Sequence, residues 1–184
     1  VVLILGRMLS RVAERIPSVD KKRNVKTRLT GITHDVVVDR AAKWLKSIGC
    51  GAVLSELRTH TRSGEQPDAI GWRDGVSILV ECKTSRSDFF RDAKKRFRIQ
   101  PELGMGDWRF YMCPDGVLTP EDMPEGWGLL SIKSKRVLRA HGFPANTMWS
   151  HKPFEGEKTN EAIMLVSALR RYQTRAGELR GLTE

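Results

Sequence analysis

Apolar positions fall at two different spacings along this chain, and the changes between them mark out its elements. Val37, Ala41, Trp44, Leu45 and Ile48 recur at helical spacing, which predicts a helix from a Thr33 cap to about Ser47, stopped by Gly49 and Gly51. Residues 52–57 read as a strand, 59–66 as a polar loop, and 68–72 as a second strand. Asp74-Gly75 is a hairpin turn signal, and the Ile, Leu and Val of 77–84 make a third strand. A helix is predicted from Ser87 to about Arg98, and a fourth strand over 109–113. After turn-rich residues 114–124, a late strand pair is expected at 127–132 and 136–140. Residues 141–156 look irregular. A closing helix over 161–175 would pack through Ala162, Leu165, Val166, Leu169 and Tyr172.

The order helix, three strands, helix, strand, then further elements predicts an α/β domain, a mixed central sheet flanked by helices. The chain of 184 residues is 40% hydrophobic, enough for one core. The organisation expected is a basic arm over 1–30 and a single domain over 31–184. Cys50, Cys82 and Cys113 show neither a disulfide framework nor a zinc spacing, which points to a cytoplasmic location. The apolar opening run, Val1 to Leu5, is shorter than a secretory core of roughly 7–15 residues or a membrane span of roughly 18 or more. No membrane association is expected.

Charge changes this picture, because the net charge is +10 and is concentrated. Residues 1–30 carry a net +6 and residues 86–98 a net +4. Such basicity suits a polyanion such as DNA, since each neutralised phosphate releases a counterion. A solvated tail and a solvated helix face are the competing readings. On the helix at 87–98, Phe89, Phe90, Ala93 and Phe97 fall on one side, and Arg91, Lys94, Lys95 and Arg98 on an adjoining one. The first side is expected on the sheet and the second on phosphates.

The chemistry sits on the second and third strands. Pro67-Asp68 opens one, and Glu81-Cys82-Lys83 ends the other. Glu81 and Lys83 are two residues apart and so share a strand face, while Cys82 faces the core. A hairpin around Asp74-Gly75 brings Asp68 near Glu81. Two converging carboxylates suit Mg²⁺, or Mn²⁺ in its place, and a lysine beside them can orient or deprotonate water and steady phosphate charge. A purely structural ion network of Asp68, Glu81 and Lys83 is the alternative. His34, His60, His141 and His151 show no ligand spacing, and Trp127 reads as packing.

Pro-Asp followed by Glu-x-Lys on adjacent strands resembles the PD-(D/E)xK nuclease superfamily. A longer stretch, Lys83-Thr84-Ser85-Arg86-Ser87-Asp88-Phe89-Phe90-Arg91-Asp92-Ala93-Lys94 and then Phe110-Tyr111, resembles the MmcB-like DNA-repair endonucleases. The resemblance covers about residues 35–132, is strongest at 81–94, and does not align over 99–108. It implies a restriction-endonuclease-like fold and Mg²⁺- or Mn²⁺-dependent cleavage of DNA. It implies catalytic roles for Asp68, Glu81 and Lys83, with Glu56 completing the metal set of Asp68 and Glu81. Asp35 and Asp39 on the first helix are rival donors. The nucleic-acid contacts expected are Arg91, Lys94, Lys95 and Arg98. The expected activity is endonucleolytic, in repair, recombination or defence, with DNA as partner and a homodimer left open. The alternatives are a nucleic-acid-binding module of the same fold that does not cut, and a protein-binding accessory subunit.

Overall fold

The computed structural model describes residues 32–145 and 148–176, so the arm expected over 1–30 lies outside the described residues. Helix α1 spans His34–Ser47, with Thr33 at its N-cap in extended backbone. Its Val37, Val38, Ala41, Trp44 and Leu45 are buried, at the spacing read from the sequence. Strands β1 (Ala52–Ser55), β2 (Ala69–Arg73) and β3 (Val76–Cys82) follow. Then come α2 (Arg86–Asp92), α3 (Arg96–Ile99), β4 (Trp108–Pro114), β5 (Trp127–Lys133), β6 (Arg136–His141) and α4 (Lys158–Ala176).

The six strands form one sheet in chain order, β1 to β6. β1, β2 and β3 pair antiparallel, β3–β4 and β4–β5 pair parallel, and β5–β6 is antiparallel again. β3, β4 and most of β5 are buried along their length, as strands covered on both faces must be. α1 covers one face over Val80, Cys82, Phe110 and Met112. Phe89 of α2 and Met164 of α4 cover the other, over Ile70, Leu79, Tyr111 and Leu129. Burying a phenylalanine such as Phe89 contributes about 1.5–3 kcal/mol. The mixed sheet flanked by helices matches the α/β expectation. Among the described residues no helix is long and apolar enough to cross a membrane.

Two helices differ from the sequence reading. The helix expected over 87–98 is broken after Asp92, and α3 restarts behind Lys95, which is extended at φ −67, ψ 143. The break turns the next residues by a different angle. Phe89 and Phe97 still reach the core, but Phe90 is 51% exposed. Arg98 leaves the basic side altogether, and its side chain is only 4% exposed. The phosphate contact expected of Arg98 is therefore corrected. Arg91, Lys94 and Lys95 remain exposed.

The second difference is α4. Leu165, Val166, Leu169 and Tyr172, its expected packing face, are exposed. The helix is instead anchored by Asn160, Glu161 and Met164. Glu161 accepts from Ser77 Oγ at 2.7 Å, Gly106 N at 3.0 Å and Trp72 Nε1 at 3.1 Å. These bonds fix which side of the helix meets the sheet. Gly106 can make its bond because it adopts φ +86 and lacks a Cβ, which would stand 2.6 Å from Leu79 Cβ.

Candidate active site

One transverse row crosses the ends of the first four strands. Glu81 is the register partner of Tyr111 on β4. One step beyond the Ala69–Val80 pair, Asp68 stands opposite Glu81. One step beyond Ser55–Ala69, Glu56 stands opposite Asp68, and its N–H donates to the Asp68 carbonyl at 2.9 Å. Three acids thus occupy neighbouring positions because three strands end in register. Glu56 has φ +48, so it leaves the strand there and its side chain is exposed.

The row divides into a wet part and a dry part. Asp68 keeps 20% of its side-chain exposure and sits in a cleft of about 330 Å³ lined by His34, Glu56, Leu57, Arg58, Gln66 and Pro67. Its Oδ2 accepts from Cys82 N at 2.7 Å, and its Oδ1 lies 3.5 Å from His34 Nε2. Burial and then the negative charge of Glu81 push the Asp68 carboxyl up to about 6, against the pull of the Cys82 amide, Lys83 and His34. His34, Asp35 and Glu56 each offer a ligand atom, and those atoms lie within 4.8 Å of one another. Asp35 therefore stands beside Glu56 and His34 at the edge of the cleft, and Asp68 and Glu81 are not part of that group. Asp39 does not join that group and pairs with Lys43 at 2.6 Å on the exposed side of α1.

Glu81 and Lys83 belong to the dry part, with side-chain exposures of 3% and 5%. Lys83 Nζ donates to Glu81 Oε2 at 3.0 Å and lies 3.6 Å from Asp92 Oδ1. Burial presses the Lys83 amine down, but Glu81, Asp92 and Asp68 outweigh it and hold the amine above the ordinary lysine range. Lys83 is therefore a fixed positive charge, and the expectation that it also deprotonates water is not favoured by this setting. The remaining Glu81 oxygen lies 2.9 Å from Arg98 Nη2, in a Coulombic contact rather than an aligned hydrogen bond.

Arg98 is the hub of this part. It pairs with Glu65 and donates to Asp92 Oδ2 at 2.9 Å, and its guanidinium lies over the Trp127 and Phe97 rings. Tyr111 also donates to Asp92 Oδ2 at 2.9 Å, and Lys95 Nζ lies 2.7 Å from Asp92 Oδ1. Burial would raise the Asp92 carboxyl, yet Arg98 and Lys83 hold it well below the usual carboxylate range. Glu65, Glu81 and Asp92 are thereby matched by Lys83, Arg98 and Lys95. Trp127 is buried and stacked on Tyr111, a packing role as its sequence suggested.

The sequence reading did not single out Glu65, Asp92, Tyr111 or His34 as parts of this arrangement. Asp92 carried a signal, because it lies three residues after Phe89 and so shares the sheet-facing side of the helix. Glu65 sits in a polar loop and offered none.

A second buried charge cluster lies at the opposite end of β3. Asp107 accepts from Ser77 N at 2.9 Å, Gly156 N at 3.0 Å and Lys158 Nζ at 2.6 Å. Against the effect of burial, those bonds hold its carboxyl at about 2. Its polar groups satisfy one another, and it ties α4 to the sheet.

No family model matches this chain, and no curated protein matches it. It is similar to a solved structure described as the SPO1766 protein of unknown function from Silicibacter pomeroyi. The two are 25% identical, the match covers 85% of this chain and 100% of the other, and the TM-score is 0.55.

Proposed function

We propose that this protein is a metal-dependent endonuclease of restriction-endonuclease-like fold that hydrolyses DNA phosphodiester bonds. The observation that carries the reading is the in-register row of Glu56, Asp68 and Glu81, with Lys83 just past the end of β3 and bonded to Glu81. The donor chemistry fits a divalent cation. Glu56 and Asp35 offer hard oxygens and His34 a nitrogen that also suits Mn²⁺, all within 4.8 Å of one another, and Asp68 lines the cleft that His34 and Glu56 share. A bound divalent cation supplies Lewis acidity and a more acidic water. The cleft acids hold and orient that cation, while Lys83 places a permanent positive charge where phosphate charge builds up. Exposed Arg91, Lys94 and Lys95 are proposed to hold the DNA backbone.

A second reading is favoured by one observation. Both Glu81 oxygens are engaged by Lys83 and Arg98, and the side chain is nearly sealed. That is the condition of a structural ion network in a nucleic-acid-binding module that does not cut. Supercoiled plasmid with Mg²⁺ or Mn²⁺ separates the two. The nuclease reading expects nicking by the wild type, loss in Asp68→Asn and Lys83→Ala, and loss on adding a chelator. DNA binding with no nicking under either metal leaves the second reading.

A further inference from the structure

We propose that the groove between residues 57–64 and helix α4 is a docking track for the sugar-phosphate backbone of duplex DNA, leading into the carboxylate cleft. The groove has a volume of about 600 Å³ and is lined by Thr59, Ile163, Val166, Ser167, Arg170 and Arg171 among others. It adjoins the cleft through consecutive residues, since Arg58 lines the cleft and Thr59 lines the groove. The two walls are bonded together. Arg171 donates to the Arg58 carbonyl, and at the other end Asn160 Oδ1 accepts from Arg62 N at 2.7 Å. The relative position of groove and cleft is therefore fixed by the fold.

Charge identifies the occupant. Residues 57–64 and 162–176 contain Arg58, Arg62, Arg170, Arg171 and Arg175, and no Asp or Glu. Glu157 lies near Arg62 at the start of α4, and its two oxygens accept from the Thr159 and Asn160 N–H groups. Within the groove, Arg170, Arg171 and the hydroxyls of Thr59 and Ser167 present donors to phosphate oxygens. The apolar stretch at Ile163 and Val166 matches the face of deoxyribose, which lacks a 2′-hydroxyl. Among the described residues no aromatic side chain lines the groove, so these offer no platform on which unpaired bases would stack. These features favour a duplex backbone over a single strand. The inference rests on the nuclease reading only for its direction, toward the cleft.

The test is fluorescence anisotropy of a labelled DNA duplex of about two helical turns, in chelator so that no cleavage occurs, over a salt series. The Arg170→Gln, Arg171→Gln double variant should bind on the order of tenfold or more weakly at 0.1 M salt. Its log-affinity against log-salt slope should fall by about two, one per phosphate contact. Val166→Glu changes an exposed position without removing an arginine, and should weaken binding in the same direction. Unchanged affinity and slope in both folded variants overturn the inference. So does a wild type that ignores the duplex, including one that binds only acidic peptide, single strands or anionic vesicles. A wild type that binds the duplex in this way but does not nick plasmid with Mg²⁺ or Mn²⁺ would remove the nuclease reading and leave the track standing.

Discussion

Arg98 and Glu81 meet at 2.9 Å in the interior, on opposite sides of the turn that breaks the helix after Asp92. The contact joins the third strand to α3 and fills the space beneath them with charge instead of hydrocarbon. Each partner depends on the other, because an uncompensated buried charge is far costlier than a buried pair. Removing Arg98 leaves Glu65, Glu81 and Asp92 short of one cation. Arg98→Met should therefore lower unfolding free energy by about 3–5 kcal/mol. Urea unfolding of the variant at neutral pH checks this, and a loss below about 1 kcal/mol would mean that solvent reaches the network.

Asp68 should show the opposite behaviour. Its carboxyl titrates near 6 in the folded protein and near 3.8 as a free side chain. The folded state therefore holds the proton more tightly, so stability from this group is present at low pH. It declines as pH rises from about 4 to 6 and is level above that. The shift is worth about 2–3 kcal/mol. Asp68→Asn should accordingly be at least as stable as the wild type at pH 7, although it removes the acid on which the proposed activity depends. A variant clearly less stable at pH 7 would count against a raised Asp68 carboxyl.

Asp107 reverses that sign. Held at about 2, it contributes stability above pH 3.8 that is lost as pH falls toward 2. Asp107→Asn should cost about 2 kcal/mol at pH 7 and flatten the acid limb of the stability curve between pH 4 and 2. Chemical denaturation at a series of pH values reads both effects. Its partners are Ser77, Lys152, Gly156 and Lys158, all remote in sequence, so loosening of α4 should accompany the change.

Divalent cation binding should depend on the cleft more than on the dry part of the row. His34→Ala and Asp35→Asn are each expected to weaken Mn²⁺ binding about tenfold, in line with the loss of one ligand or its support. Calorimetric titration of Mn²⁺ into the metal-free protein measures it directly. If Glu81→Gln weakens binding and those two do not, the cation is held deeper than the cleft.

The core elements were legible because periodicity alone marks them. The apolar spacing of α1 and the Ile-Leu-Val run of β3 leave little choice of period, and the structure places Val37, Ala41, Leu45, Ile78 and Val80 in one core. The hairpin also followed from local chemistry, since Asp74 and Gly75 both adopt positive φ. The outcome for Arg98 was not legible. A helical wheel assumes an unbroken helix, and the turn at Ala93 to Lys95 replaces its geometry after Asp92. The packing side of α4 was hidden for another reason. Hydrophobic count favours Leu165 and Leu169, but Glu161 finds donors in Ser77, Gly106 and Trp72 and sets the rotation. His34 entered the cleft through tertiary approach alone, which no spacing in the sequence encodes.

The strands lie in the sheet in the order in which they are made, and this has a consequence for biosynthesis. Each strand added during translation finds its neighbour among the residues just completed, so loop closures stay short and pairing can proceed from one growing edge. The acids and cations of the row are all supplied by residue 98, whereas Tyr111 and Trp127 arrive with β4 and β5. A nascent chain that ends between them carries the charges without the aromatic cover that keeps water from them. Its first half should stay open and hydrated, and only the arrival of the parallel strands closes the interior around Arg98.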